Sequence, residues 1–193
     1  MRLEILNTHY SLRAKFIFAI IRLVSHRPLP DAAKLGFYRS DFYGRLSNQL
    51  THETMRGPSS WSVGDRELMA AYVSKANDSA FCIGAHTATA SGAYQDRDKV
   101  TAVLSDLETA PIEEPLRATL RLLRKLTQEG TITPDEVRAA LGSGATREQI
   151  EDALAVCFSF NVTNRLADIF GFSMLDQEAF DAGAKVLLSR GYR

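Results

Sequence analysis

Along nearly the whole chain, apolar residues return every three or four positions, and the gaps between these runs hold residues that start or stop helices. No stretch alternates apolar and polar positions as a half-buried strand must, so the pattern restricts the chain to an all-α fold. A first helix is predicted over 11–25, ended by His26-Arg27-Pro28-Leu29-Pro30, because proline lacks the N–H that a helix interior needs. Residues 31–50 hold shorter helical pieces rich in aromatics: Phe37, Tyr38, Phe42 and Tyr43. Ser62 reads as the N-cap of a helix running to about Lys75, with Leu68, Ala71 and Tyr72 on one face. After Asn77-Asp78-Ser79 a helix rich in small residues (Ala80, Gly84, Ala85, Ala88, Ala90, Gly92) runs to Tyr94, and these let a neighbouring helix or a ligand approach closely. Further helices are expected over 98–107, from Pro115 as first residue to a stop at Gly130, from the capping box Thr133–Glu136, from the box Thr146–Gln149 to Gly171, and over 177–190.

The 193 residues suit one domain, and a hydrophobic share of 45% can bury a core without disulfide or metal staples. The 23 basic and 23 acidic side chains cancel, which speaks against a nucleic-acid partner and leaves self-association open. The most apolar run, Phe16-Ile17-Phe18-Ala19-Ile20-Ile21, is broken by Arg22. It is too short to span a membrane and no cleavage site of a signal peptide follows it. It reads as one face of a buried N-terminal helix in a cytoplasmic protein. Two cysteines, Cys82 and Cys157, do not make a disulfide framework and read as reduced thiols.

Chemistry concentrates between Glu67 and His86. Cys82 and His86 lie four apart on an expected helix, so they share a face. An imidazole beside a thiol can take its proton, and the backbone N–H groups of a helix start favour a negative sulfur. Glu67 lies on the preceding helix, where a hairpin would let its carboxylate orient His86. The plainer reading fits the same spacing: a small cysteine in an Ala/Gly-rich core helix, and a histidine one turn away by chance.

With Glu67, then Ser79-Ala80-Phe81-Cys82, then Ile83-Gly84-Ala85-His86, the segment resembles the alkylhydroperoxidase D / carboxymuconolactone decarboxylase family. That family carries a glutamate, a Cys-x-x-Cys pair and a histidine one helical turn further on. The runs Arg56-Gly57-Pro58-Ser59, Gly64-Asp65-Arg66-Glu67-Leu68, Ala70-Ala71-Tyr72-Val73-Ser74 and Phe158-Ser159-Phe160-Asn161-Val162-Thr163-Asn164-Arg165-Leu166-Ala167-Asp168 look like its peroxidase-related branch. The resemblance covers about 35–172. It implies a single all-helical bundle over 1–193, with the helices 11–25 and 177–190 packed on the motif core. It also implies a homo-oligomer: a dimer, trimer or hexamer.

Carried over residue by residue, the resemblance makes Cys82 the thiol that attacks a hydroperoxide, with His86 and Glu67 as its proton relay. The partners implied are a small-molecule hydroperoxide and a thiol reductant. The chain departs from the pattern at the resolving position, which is Ser79. A hydroxyl cannot form a disulfide, so Cys82 would work alone with an outside thiol, or be resolved by Cys157, or the site would have kept the fold without the activity. Ser79 also offers a helix cap. Two other functional readings stand beside the peroxidase: a decarboxylase-like lyase acting on a small carboxylic acid or lactone, and an inactive helical oligomer.

The remaining polar and sulfur positions favour structure. Cys157 sits among apolar residues, which raises a thiol pKa. Asn161, Asn164 and Arg165 suit hydrogen-bonded structural roles, in a region that lies near the pocket in family members. Trp61 and the aromatics of 37–43 suit core or interface. His9, His26 and His52 have no ligand spacing, and Gly142-Ser143-Gly144 lacks the lysine of a phosphate loop. No metal, cofactor or nucleotide is expected.

Overall fold

A computed structural model of the protein describes every residue except Leu3, His26 and Arg193; the side chains of Ile5, Leu6, Val24, Ser25 and Phe42 are not described either. The expected stop at His26 and the aromatic ring of Phe42 therefore lie outside what is described. In chain order the helices are α1 (Ile5–Thr8), α2 (Leu12–Ser25), α3 (Asp31–Tyr38), a π-helical turn (Ser40–Gly44), α4 (Arg45–Arg56), α5 (Val63–Ala76), α6 (Ala80–Tyr94), α7 (Arg97–Ser105), α8 (Glu114–Glu129), α9 (Pro134–Gly142), α10 (Arg147–Phe170) and α11 (Gln177–Arg190). No strand occurs among the described residues, and no helix there is long and apolar enough to cross a membrane.

The ends of these helices follow from local chemistry. Ser62, Thr133 and Thr146 each accept the N–H of the residue three on, and the side chains of Asp65, Glu136 and Gln149 answer by accepting the cap residue's own N–H. Gly130 and Gly171 stop α8 and α10 in the left-handed region, at φ +74° and +61°. Two local expectations shift. Pro115 is the second residue of α8, because Glu114 begins it. Ser79 does occupy the N-cap position of α6, but its hydroxyl makes no capping bond.

The bundle is centred on α5, which packs against α6, α8, α10 and α4. The single inward face expected for α5 is corrected here: Arg66 to Ser74 are all buried, because helices surround α5 on every side. Met55, Leu68, Met69, Leu120, Leu123, Val156 and Phe160 form the core around it. Each such side chain taken out of water contributes about 1.5–3 kcal/mol before entropy is charged against it.

Two close approaches set the helices that matter for the site. At the start of α5, Gly64 lies against the ring of Tyr94 at the end of α6, where an added Cβ would come within 2.7 Å. The Tyr94 hydroxyl donates to Asp65 at 2.5 Å, which ties the open ends of the α5–α6 hairpin together. On the other side of α6, Gly84 admits the ring of Phe180 from α11, which a Cβ would meet at 2.6 Å. The small residues of α6 thus serve helix approach.

The N-terminal helix departs from its expected burial. Ala14 is buried and Phe18 meets Tyr10 and Phe37 edge-on at centroid distances of 5.0 and 5.1 Å. The opposite stripe stays in solvent: Leu12, Phe16 and Leu23 are 85, 67 and 75% exposed. The helix carries apolar residues on two faces, and the described residues of the chain cover one of them.

Candidate active site

Glu67 lies in the second turn of the buried α5, and its side chain has no exposure. A carboxylate there must have its charge answered by neighbours. Three donors do so. His86 Nδ1 lies 2.7 Å from Oε2, Arg56 Nη2 donates to Oε1 at 2.6 Å, and the Tyr192 hydroxyl donates to Oε1 at 2.8 Å. Burial alone would push the carboxyl up, but the hydrogen bond and charge of His86, with the charge of Arg56, outweigh it and hold the group below the usual glutamate range.

His86 is positioned by the hairpin: α6 runs back along α5, and a ring one turn beyond Cys82 meets the carboxylate. The ring is also fixed by Phe160, edge-on at 4.4 Å, and by Tyr192, nearly parallel at 6.4 Å and 17°. With Nδ1 committed to Glu67, the chemistry left to the imidazole belongs to Nε2, which has no hydrogen-bond partner among the described residues. A carboxylate behind one ring nitrogen fixes the tautomer and the orientation of the ring.

Cys82 is the third residue of α6 and is 3% exposed, within an apolar cluster of Phe81, Ala88, Ala167, Phe180 and Ala184. Burial pushes its thiol up to about 11; a hydrogen bond with Ser79 pulls down and the charge of Asp168 pushes up. The expectation that the helix start and His86 would favour the thiolate in this conformation is corrected: apolar enclosure outweighs the helix end, and the imidazole is turned to Glu67. The structure thus joins Glu67 to His86 and Cys82 to Ser79.

Ser79 is fully buried and donates to Asp168 Oδ1 at 2.9 Å, bridging α6 and α10. Cys157 lies elsewhere, in the main core, with Thr127 Oγ1 at 3.4 Å and Asn161 Nδ2 at 3.3 Å from its sulfur. Both cysteines are free thiols in different clusters, so this conformation does not pair Cys157 with Cys82. Asn164 is buried and accepts from Ser74 at 3.0 Å, a helix-to-helix bond, while Arg165 is exposed and donates to the Asn161 carbonyl.

Arg56, Asp168 and Tyr192 were not singled out as site residues from the sequence. Arg56 and Asp168 stand inside the runs quoted for the resemblance, so a signal was present there. Tyr192 stands 125 positions from Glu67, and no local pattern marks it.

The all-helical bundle that sets a glutamate and a histidine of adjacent helices together, with a cysteine one turn before the histidine, has the AhpD-like fold. Two solved structures share this fold. An uncharacterized peroxidase-related protein from Silicibacter sp. TM1040 aligns with TM-score 0.72 and 22% identity over 83% of this chain and 84% of its own. The alkylhydroperoxidase AhpD core structure of an uncharacterized peroxidase-related protein from Ralstonia eutropha JMP134 aligns with TM-score 0.75 and 20% identity over 92% of each chain. Residues 43–125, which carry Glu67, Cys82 and His86, match the carboxymuconolactone decarboxylase family. No curated protein matches the sequence.

Proposed function

We propose that the protein is a thiol-dependent, peroxidase-like oxidoreductase of the carboxymuconolactone decarboxylase / AhpD-like group. Its Cys82 would reduce hydroperoxides with His86 and Glu67 as proton relay. The observation that carries the reading is the buried Glu67–His86 pair at 2.7 Å, whose histidine lies one turn beyond the thiol on α6. In the reaction the thiolate attacks the terminal peroxide oxygen, the O–O bond breaks, and the alkoxide leaves as an alcohol on taking a proton. The resulting sulfenic acid is returned to the thiol by two equivalents of an external thiol, which leave as a disulfide and water. Ser79 at the resolving position and the separate location of Cys157 favour such a one-cysteine cycle.

With its pKa pushed up to about 11, Cys82 in this conformation is thiolate in only about one molecule in 10⁴ at pH 7. Turnover therefore requires the apolar cluster to open. Adding a hydroperoxide should remove the Cys82 thiol one-for-one, with reactivity rising by about tenfold per pH unit between pH 7 and 9 as the thiolate fraction grows. Cys82→Ser should abolish this consumption. Equal consumption by wild type and variant would refute the thiol reading.

One observation favours a second reading, a decarboxylase-like lyase: the Glu67–His86–Arg56–Tyr192 cluster is complete without sulfur. There His86 Nε2 would act as acid–base on a small carboxylic acid or lactone, and activity would survive alkylation of Cys82. We also propose a homo-oligomer, supported by the exposed apolar stripe of α2, and a cytoplasmic location.

A further inference from the structure

We infer that α11 is a lid over the Cys82 face of α6, and that Tyr192 is the latch holding it shut. The lid supplies one wall of the enclosure around the sulfur. Phe180 and Ala184 of α11 belong to the cluster around Cys82, and Phe180 packs against Phe81 with centroids 5.8 Å apart. Remove α11 and one wall of that cluster is gone.

The two ends of the lid are held unequally. Near its start, Arg27 pairs with Asp176 and Glu178, whose side chains are 70 and 85% exposed, and such surface pairs contribute little. At its far end the attachment is partly buried and reaches the fully buried Glu67. One guanidinium nitrogen of Arg56 donates both to Glu67 and to the Leu187 carbonyl in the last turn of α11, the latter at 3.1 Å. Beyond that turn the Tyr192 hydroxyl reaches Glu67, its backbone N–H donates to His52 Nδ1 at 3.3 Å, and its ring lies between stacking on His86 and the Arg56 guanidinium, 5.1 Å from the ring centroid.

The chain enters this arrangement through Gly191, with φ +68° and ψ −148°. That conformation is open to glycine and strained for other residues. A Cβ at Gly191 would also lie 2.6 Å from the His52 ring. The turn into the latch is thus fitted to glycine twice over, by its backbone and by the space available. Tyr192 ties the far end of α11 to the same carboxylate that orients His86, so opening the lid and loosening the relay are one event.

As a regulation of peroxide chemistry this inference rests on the function proposed above; as control of access to a sulfur it is measured separately. The experiment is the rate of alkylation of each cysteine by iodoacetamide, read by peptide mass, in the full-length protein and in Tyr192→Phe, Tyr192→Ala and Gly191→Ala. Loss of a hydrogen bond to a charged group shifts a local opening equilibrium by about tenfold to a hundredfold. Cys82 should accelerate by that factor in Tyr192→Phe, which loses only the hydroxyl, and by more in Tyr192→Ala, which also loses the ring contacts; Gly191→Ala, which displaces the turn, should accelerate it as well. Cys157, buried in the other cluster, should keep its wild-type rate.

Acceleration of both cysteines by the same factor would mean general unfolding and would overturn the latch. Unchanged Cys82 rates in variants that retain helical circular dichroism would overturn it as well. Should Tyr192→Ala fail to fold, the Tyr192→Phe and Gly191→Ala rates decide by the same criteria. If peroxide leaves Cys82 intact in every variant while alkylation still depends on Tyr192, the peroxidase reading falls and the latch stands.

Discussion

At the scale of single residues, the site is governed by one buried charge. Glu67 is tolerated in the interior because His86, Arg56 and Tyr192 each direct a donor at it. Replacing it by glutamine leaves the Arg56 cation without its counter-charge, and breaking such a buried pair costs about 3 kcal/mol. Glu67→Gln should lose that amount in urea unfolding at pH 7. Because the carboxyl is held below its unfolded range, its contribution is complete above the ordinary glutamate pKa and fades as the pH falls through the folded value. The gap between wild type and variant should therefore narrow on acidification; a pH-independent gap would contradict an ionised Glu67. Glu67, Cys82 and His86 were singled out in the sequence by the family resemblance, since their helical spacing alone fits a plain core reading as well. What the sequence did not carry was the state of the sulfur. Apolar residues from α6, α10 and α11 enclose it, and those contacts span about a hundred positions of chain.

At the scale of elements, boundaries were the legible part. Capping residues act within three or four positions, so Ser62, Thr133, Thr146, Gly130 and Gly171 announced their helix ends directly. The burial of α5 on every side was hidden, since which faces are covered depends on helices far away in the chain. Gly64 shows how the hairpin depends on one absent side chain. Gly64→Ala drives a methyl into the Tyr94 ring, which its bond to Asp65 prevents from swinging aside. Overpacking of this kind costs about 1–3 kcal/mol, so the variant should melt several degrees lower, at about 2–4 °C per kcal/mol for a chain of this size. A scanning-calorimetry midpoint equal to wild type would show that Tyr94 is free to move.

At the scale of the whole molecule, large apolar side chains face solvent in two groups among the described residues. One is the outer stripe of α2; the other combines Leu46 and Leu50 of α4 with Phe158, Val162 and Ile169 of α10, between 48 and 60% exposed. Side chains of this type each contribute about 1.5–3 kcal/mol when covered, and a chain of zero net charge opposes association weakly. Light scattering coupled to size exclusion should find an oligomer at micromolar concentration, and Phe16→Glu combined with Leu23→Glu should yield a smaller species. A monomer at every concentration would mean that both surfaces remain wet.

The contact between Ser79 and Asp168 bears on what a substitution at position 79 would do. Asp168 already disfavours a negative sulfur at Cys82 while it holds the hydroxyl of position 79. A cysteine substituted at 79 would gain a neighbouring sulfur but inherit that carboxylate at close range, where a second thiolate is penalised. The hydroxyl at 79 and the carboxylate at 168 therefore act as one bridge between α6 and α10, and a thiol at 79, a weaker donor, would loosen it.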